Sequence, residues 1–319
     1  MSTHALPFDH NHPNRANIGH MPDTAPLQPI LHSVSYAGVW PGQAKLELNA
    51  FLDKAAALGF SGVMLMAKRP HLSVLDYGRD GCLRLREEME ARGLHCAVLA
   101  GYNNFSGDAD HPDIPQREIQ LSHIEALCRR ASDLGAPVVR IFTAYDHPRF
   151  SAHTLVEILR EAAERAAAFG VVLGVQNHHD SAAHFLSLFD LLTEVNHPNC
   201  RACFDAWAPA LHGDDLAAAA RKMAPLTVHT TVADYQFRPR FRYNPAVVNY
   251  EPLTPATQAV PMGEGIIDYR EFLAALVQGG YRGAVAYEMC SPLQGGGGEA
   301  NLDRCARQFR AWMAATQTL

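Results

Sequence analysis

What most constrains this chain is an alternation, repeated eight times, of a short β-branched run with an amphipathic helical run. The runs ILHSVSY (30–36), SGVMLMA (61–67), HCAVLAGY (95–102), VVRIFTA (138–144), VVLGVQN (171–177), CRACFDA (200–206), LTVHTTVA (226–233) and GAVAYEMC (283–290) read as strands. Each is followed by a helical pattern, several ending at a glycine: Gly59, Gly93, Gly135 and Gly170. Strand–helix alternation argues a parallel sheet, and eight units argue its closure into a (β/α)8 barrel. An open doubly wound sheet is the alternative, but no G-x-G-x-x-G follows the first run. The expected organisation is an N-terminal arm over 1–28 and one barrel domain over 29–319.

Composition narrows the class. A chain of 319 residues has room for one barrel with an arm and insertions. Its formal net charge is −6 and it has no basic run, which argues against a nucleic-acid partner. No stretch reaches the roughly 18 apolar residues of a membrane span, and the N-terminus lacks the apolar core of a secretory signal. Seven cysteines, an odd number, fit free thiols in a reducing cytoplasm. The histidines of the arm, His4, His10, His12 and His20, are expected to belong to a draped segment.

In such a barrel, polar residues at the C-terminal strand ends face the active site. Four consecutive strands offer ligands there: Gln176 on the fifth, Asp205 on the sixth, His229 on the seventh and Glu288 on the eighth. This set suits one open-site divalent ion, Mn2+ first, with Mg2+, Co2+ or Zn2+ as alternatives. Side chains two apart on a strand share a face, so His178 extends the row of Gln176 and is a candidate base. Glu288 and His147 are the other candidates for proton transfer. Lys68, His71, Asn103 and Arg140 are candidate substrate contacts. A long segment after the seventh run, Asp234 to Gly265, reads as a lid or subunit contact, with Arg238, Arg240 or Arg242 reaching substrate or a partner.

The motifs CFDAW, TVHTTVADY, AYEMC and VPMGEGIIDY resemble the xylose isomerase-like sugar isomerase/epimerase family, which includes ketose 3-epimerases, inosose dehydratases, C-glycoside deglycosidases and endonuclease IV. The resemblance covers roughly residues 30–315 in pattern. It implies a metal set of Glu, Asp, His and Glu from strands five to eight, carried here by Asp205, His229 and Glu288. The first position departs from it, since Gln176 stands where the family has Glu. A neutral amide cannot take up a proton, and the ketose epimerases use that glutamate as half of a proton-transfer pair.

The expected activity is therefore a metal-dependent isomerase or epimerase working next to a carbonyl of a small polyhydroxylated sugar. The alternative is a lyase on a 3-oxo-sugar or keto acid. An endonuclease and a non-catalytic sugar-binding barrel are the remaining readings. Expected partners are a sugar and a further subunit, either a copy of the chain or a different one.

Overall fold

The strands β1 (Gln28–His32), β2 (Gly62–Met66), β3 (His95–Ala100), β4 (Val138–Ile141), β5 (Val172–Gln176), β6 (Cys200–Cys203), β7 (Thr227–Val232) and β10 (Ala284–Tyr287) close into a parallel barrel in a computed structural model of the chain. Neighbours in sequence are neighbours around the ring, and β1 pairs with β10 to complete it. The structure describes residues 27–107, 111, 113–145 and 150–316. Residues 1–26 of the expected N-terminal arm and His147 lie outside the described residues, and Gln28, placed at the end of that arm, already belongs to β1.

Helices α1 (Leu48–Ala57), α2 (Arg79–Ala91), α3 (Gln116–Leu134), α4 (Ala152–Ala167), α5 (Phe185–Val195), α6 (Trp207–His212), α7 (Leu216–Met223), α8 (Tyr269–Gln278) and α9 (Glu299–Thr316) surround the barrel. Their ends follow local chemistry. Ser151 caps α4 by accepting from the backbone N–H of Thr154, and Gly135 ends α3 at φ 75°, a conformation that costs a glycine little. Among the described residues no helix is long and apolar enough to cross a membrane.

Two apolar layers result. Leucines, valines and alanines of the helices pack on the outer strand faces. Inside the ring, Ile30, Met64, Val98, Ala100, Val138, Cys203 and Ala286 form a plug. Arg140 lies two residues beyond Val138 on the same face and is level with Ala100 and Gly174. A side chain at 174 would strike Cys203 Sγ, so glycine is what lets the fifth strand close over this plug.

The segment expected as a loop after the seventh strand is ordered. It forms an antiparallel ribbon of β8 (Asp234–Asn244) and β9 (Asn249–Val260). Asp234 closes its base, accepting from the N–H groups of Gly263 and Gly265 at 3.0 and 2.9 Å.

Candidate active site

The mouth is built around Asp205, just beyond β6. Its carboxylate is 6% exposed and accepts from three close donors: Gln176 Nε2 at 2.5 Å, Thr231 N at 2.6 Å and Thr231 Oγ1 at 2.5 Å. Thr230 Oγ1 approaches at 3.5 Å. Asn177 holds the Asp205 backbone from both sides, with two bonds of 2.8 Å. Burial raises the Asp205 pKa to about 6 against these donors.

Strand seven thus presents Thr231 to Asp205. His229 lies two residues earlier on the strand, about 6.5 Å further down by strand rise. It is 1% exposed, and neither ring nitrogen has a partner with hydrogen-bond geometry. Burial, followed by the charge of Arg140, holds its pKa down at about 3, the backbone of Ala284 opposing weakly. It is therefore a neutral imidazole.

A second group of side chains gathers at the ends of β2 to β5. The Arg140 guanidinium carbon lies 4.1 Å from the ring centre of Phe142 and 4.8 Å from that of Tyr102. Lys68 Nζ sits 3.9 Å from the Tyr102 ring centre. His178 lies tilted against Phe142, 4.1 Å between ring centres, and against His179 at 3.6 Å. Its pKa is lowered to about 3 by burial, then by His179 and Arg140, which leaves it neutral and weakly basic.

Glu288 enters just beyond β10, with its side chain 18% exposed and His32 Nε2 4.0 Å from one carboxylate oxygen. Burial raises its pKa, while Arg140 and the Cys290 thiol pull it back. His32 is fully buried, and its Nδ1 accepts from Val34 N at 3.3 Å.

Other expected contacts are placed differently. His71 has both nitrogens engaged, by Ser33 Oγ at 2.9 Å and the Leu46 carbonyl at 3.0 Å. Asn103 bridges the backbone of Phe142, donating to its carbonyl at 2.8 Å and accepting from its N–H at 2.9 Å. Arg240 is exposed on the ribbon opposite Leu253. Where the ribbon meets the mouth, Trp207, Tyr235, Arg238 and Ser291 line a cleft of about 500 Å³.

A profile of the xylose isomerase-like TIM barrel matches residues 52–313. The chain belongs to that family. Solved structures of this xylose isomerase-like fold include D-psicose 3-epimerase from Clostridium cellulolyticum H10, with a TM-score of 0.70 and 17% identity over 91% of this chain and 99% of that one. A probable 3-DHS dehydratase from Bacillus anthracis matches with a TM-score of 0.67 and 18% identity over 90% and 98%. The IolI protein, solved with a bound zinc atom, matches with a TM-score of 0.66 and 14% identity over 92% and 96%. At these identities the likeness is one of fold. No protein of curated function matches the sequence.

The donor set does not fit a metal of the kind the xylose isomerase-like family implies. Level with Asp205 stand the neutral Gln176 amide and Thr231 hydroxyl, both hydrogen-bonded to it, while the imidazole of His229 lies two positions lower on β7. Among the described residues, the group that brings three His, Cys, Asp or Glu donor atoms within 4.8 Å of one another is His184, His212 and Asp214; Asp205, His229 and Glu288 form no such group. His184 and His212 belong to the rim, and His184 Nδ1 caps α5 by accepting from Leu186 N at 3.2 Å. In a neutral ring its Nε2 then carries the hydrogen and faces Asp214 as a donor.

Proposed function

We propose that this xylose isomerase-like barrel is a lyase of the dehydratase type, removing a proton next to a carbonyl of a small polyhydroxylated substrate with Glu288 as its one base. The observation that carries this reading is the contrast between the two mouth carboxylates. Asp205 is spent on protein donors, whereas Glu288 keeps a partly exposed carboxylate free of nitrogen donors within hydrogen-bond reach. Its raised pKa makes it a stronger base than an ordinary glutamate.

The step balances within one residue. Glu288 takes the proton as the C–H bond breaks, and the electron pair forms the enolate. The neighbouring C–O bond then breaks, and the leaving hydroxide recovers the proton from Glu288 as water. Lys68 and Arg140 reduce the cost of the enolate charge. Epimerisation across two faces requires a second base where Gln176 stands, and Gln176 cannot serve. For the same reason the expected metal-dependent epimerase has less support than elimination. The free cysteines suit a reducing cytoplasm.

The test is a screen of keto-sugars and polyhydroxylated keto acids, read by mass spectrometry. A product lighter by one water, lost or reduced by about 10²-fold or more in Glu288→Gln, supports the assignment. Turnover that Glu288→Gln leaves intact removes Glu288 as the base.

A further inference from the structure

A buried cation without a salt-bridge partner sits in this mouth, with the Glu288 carboxylate acting on it from beyond contact distance. Arg140 is 2% exposed, and its Nε and Nη1 have no hydrogen-bond partner. Among the described residues no carboxylate lies within ion-pair distance of it. The rings of Phe142 and Tyr102 and the Tyr102 hydroxyl offset part of the desolvation, but none of them accepts from Nε–H and Nη1–H.

A second unpaired donor points the same way. His32 Nδ1 accepts from Val34 N, so in the neutral ring Nε2 carries the hydrogen. That Nε2 is buried and unpartnered, with Glu288 Oε2 at 4.0 Å, beyond hydrogen-bond reach. Arg140 and His32 are close enough for the guanidinium charge to act on the imidazole.

The formal charges of the mouth balance, with Arg140 and Lys68 against Asp205 and Glu288. The groups left unpaired are donors, which suit an anion. A carboxylate adds one negative charge to that balance, whereas a phosphate dianion adds two.

We infer that the substrate of this mouth carries a carboxylate, held by the guanidinium of Arg140 and the Nε2–H of His32. This names the substrate class for the proposed elimination and rests on that reading only for the mouth being the binding site. The substrate is then a sugar acid or a polyhydroxylated keto acid, in which the carboxylate fixes the carbon skeleton relative to Glu288. An uncharged ketose of the same length would leave the donors unpaired.

Gluconate and sorbitol test this directly, because they share a six-carbon polyhydroxylated skeleton and differ in charge. Calorimetry on the full chain should show gluconate binding at least about tenfold more tightly than sorbitol, in line with a charge-assisted bond to arginine. The preference should shrink as sodium chloride rises. Arg140→Gln should abolish it, Arg140→Lys should retain part of it, and Glu288→Gln should strengthen it by removing the opposing charge. Equal affinities for the two probes in the unmodified protein overturn the inference, as does a folded Arg140→Gln that keeps the preference. If Arg140→Gln does not fold, the probe pair and the salt series on the unmodified protein decide. Failure of the elimination reading leaves this charge preference in place, so the two outcomes separate.

Discussion

Thr231 donates both its backbone N–H and its hydroxyl to Asp205, at 2.6 and 2.5 Å. Strand seven therefore meets the mouth carboxylate with a donor, and the histidine two positions earlier is left below it. The carboxylate is held by hydrogen bonds on the side where the family's ligand set would require a second metal-binding side chain.

Two variants test that arrangement. Thr231→Val should destabilise the fold by about 1–3 kcal/mol, since it leaves a buried acceptor short of a donor. Chemical denaturation reads this as a lower midpoint. The double change Gln176→Glu with Thr231→His places the family's ligand types beside Asp205. It should gain a melting-temperature rise with Mn2+ that the unmodified chain lacks. An equal rise in both proteins would show that the existing donors already hold the ion.

His178 should act by binding and not by proton transfer. Its pKa of about 3 leaves a neutral ring above Phe142 and Arg140. His178→Asn should raise KM by several-fold while leaving the acid limb of the kcat/KM profile in place. That limb belongs to Glu288. Its pKa is raised, and the base must be ionised, so activity should rise with pH through a value above the ordinary glutamate range. Displacement of the limb in His178→Asn would assign it to the histidine.

Stability should increase with pH between about 4 and 6.5. His32, His178 and His229 have lowered pKa values, so the unfolded chain binds protons there that the folded chain does not. Their contribution is present above the unfolded value and is lost as pH falls towards the folded one. Asp205 works in the opposite sense. Its pKa is raised to about 6, so its contribution is full below the unfolded value and is lost as pH rises through the folded one. Asp234 and Glu288, also raised, act with Asp205, and His71, His123 and His197, also lowered, act with the other histidines. Six groups outweigh three, and the melting temperature should climb across the window. His178→Phe should flatten the slope.

The ribbon should set the assembly state. Phe241 and Tyr243 stand opposite Pro252 and Tyr250 on one face, and Phe241, Tyr243 and Tyr250 are 62%, 50% and 67% exposed. Arg238, Arg240 and Arg242 alternate with them and occupy the other face. We propose the ribbon as a subunit contact, so replacing 237–257 by a short turn should lower the particle mass read by light scattering by at least one whole subunit, with the barrel's far-ultraviolet spectrum retained. An unchanged mass would exclude the ribbon as a subunit contact.

The barrel was legible because eight buried strands and eight amphipathic helices each carry their own period. Arg140 was also legible, two positions beyond Val138 on an inward face. The ribbon was missed although YQFRPRFRY alternates aromatic and polar residues with a period of two; its prolines and arginines read as loop chemistry. The register of strand seven was harder. His229 and Thr231 share a face, and only three-dimensional pairing shows which of them is level with Asp205. The hydrogen bonds of His71 and Asn103 reach partners 25 to 39 positions away, at Leu46, Ser33 and Phe142, which no local pattern reveals.

The most direct measurement is deuterium uptake at the carbon next to the substrate carbonyl, followed by NMR in D2O with chelator-treated protein. Exchange that persists after chelation and falls by about 10²-fold or more in Glu288→Gln is the predicted result. Exchange abolished by the chelator and restored by a divalent ion, or exchange unaffected by Glu288→Gln, would contradict a proton transfer carried by Glu288 alone.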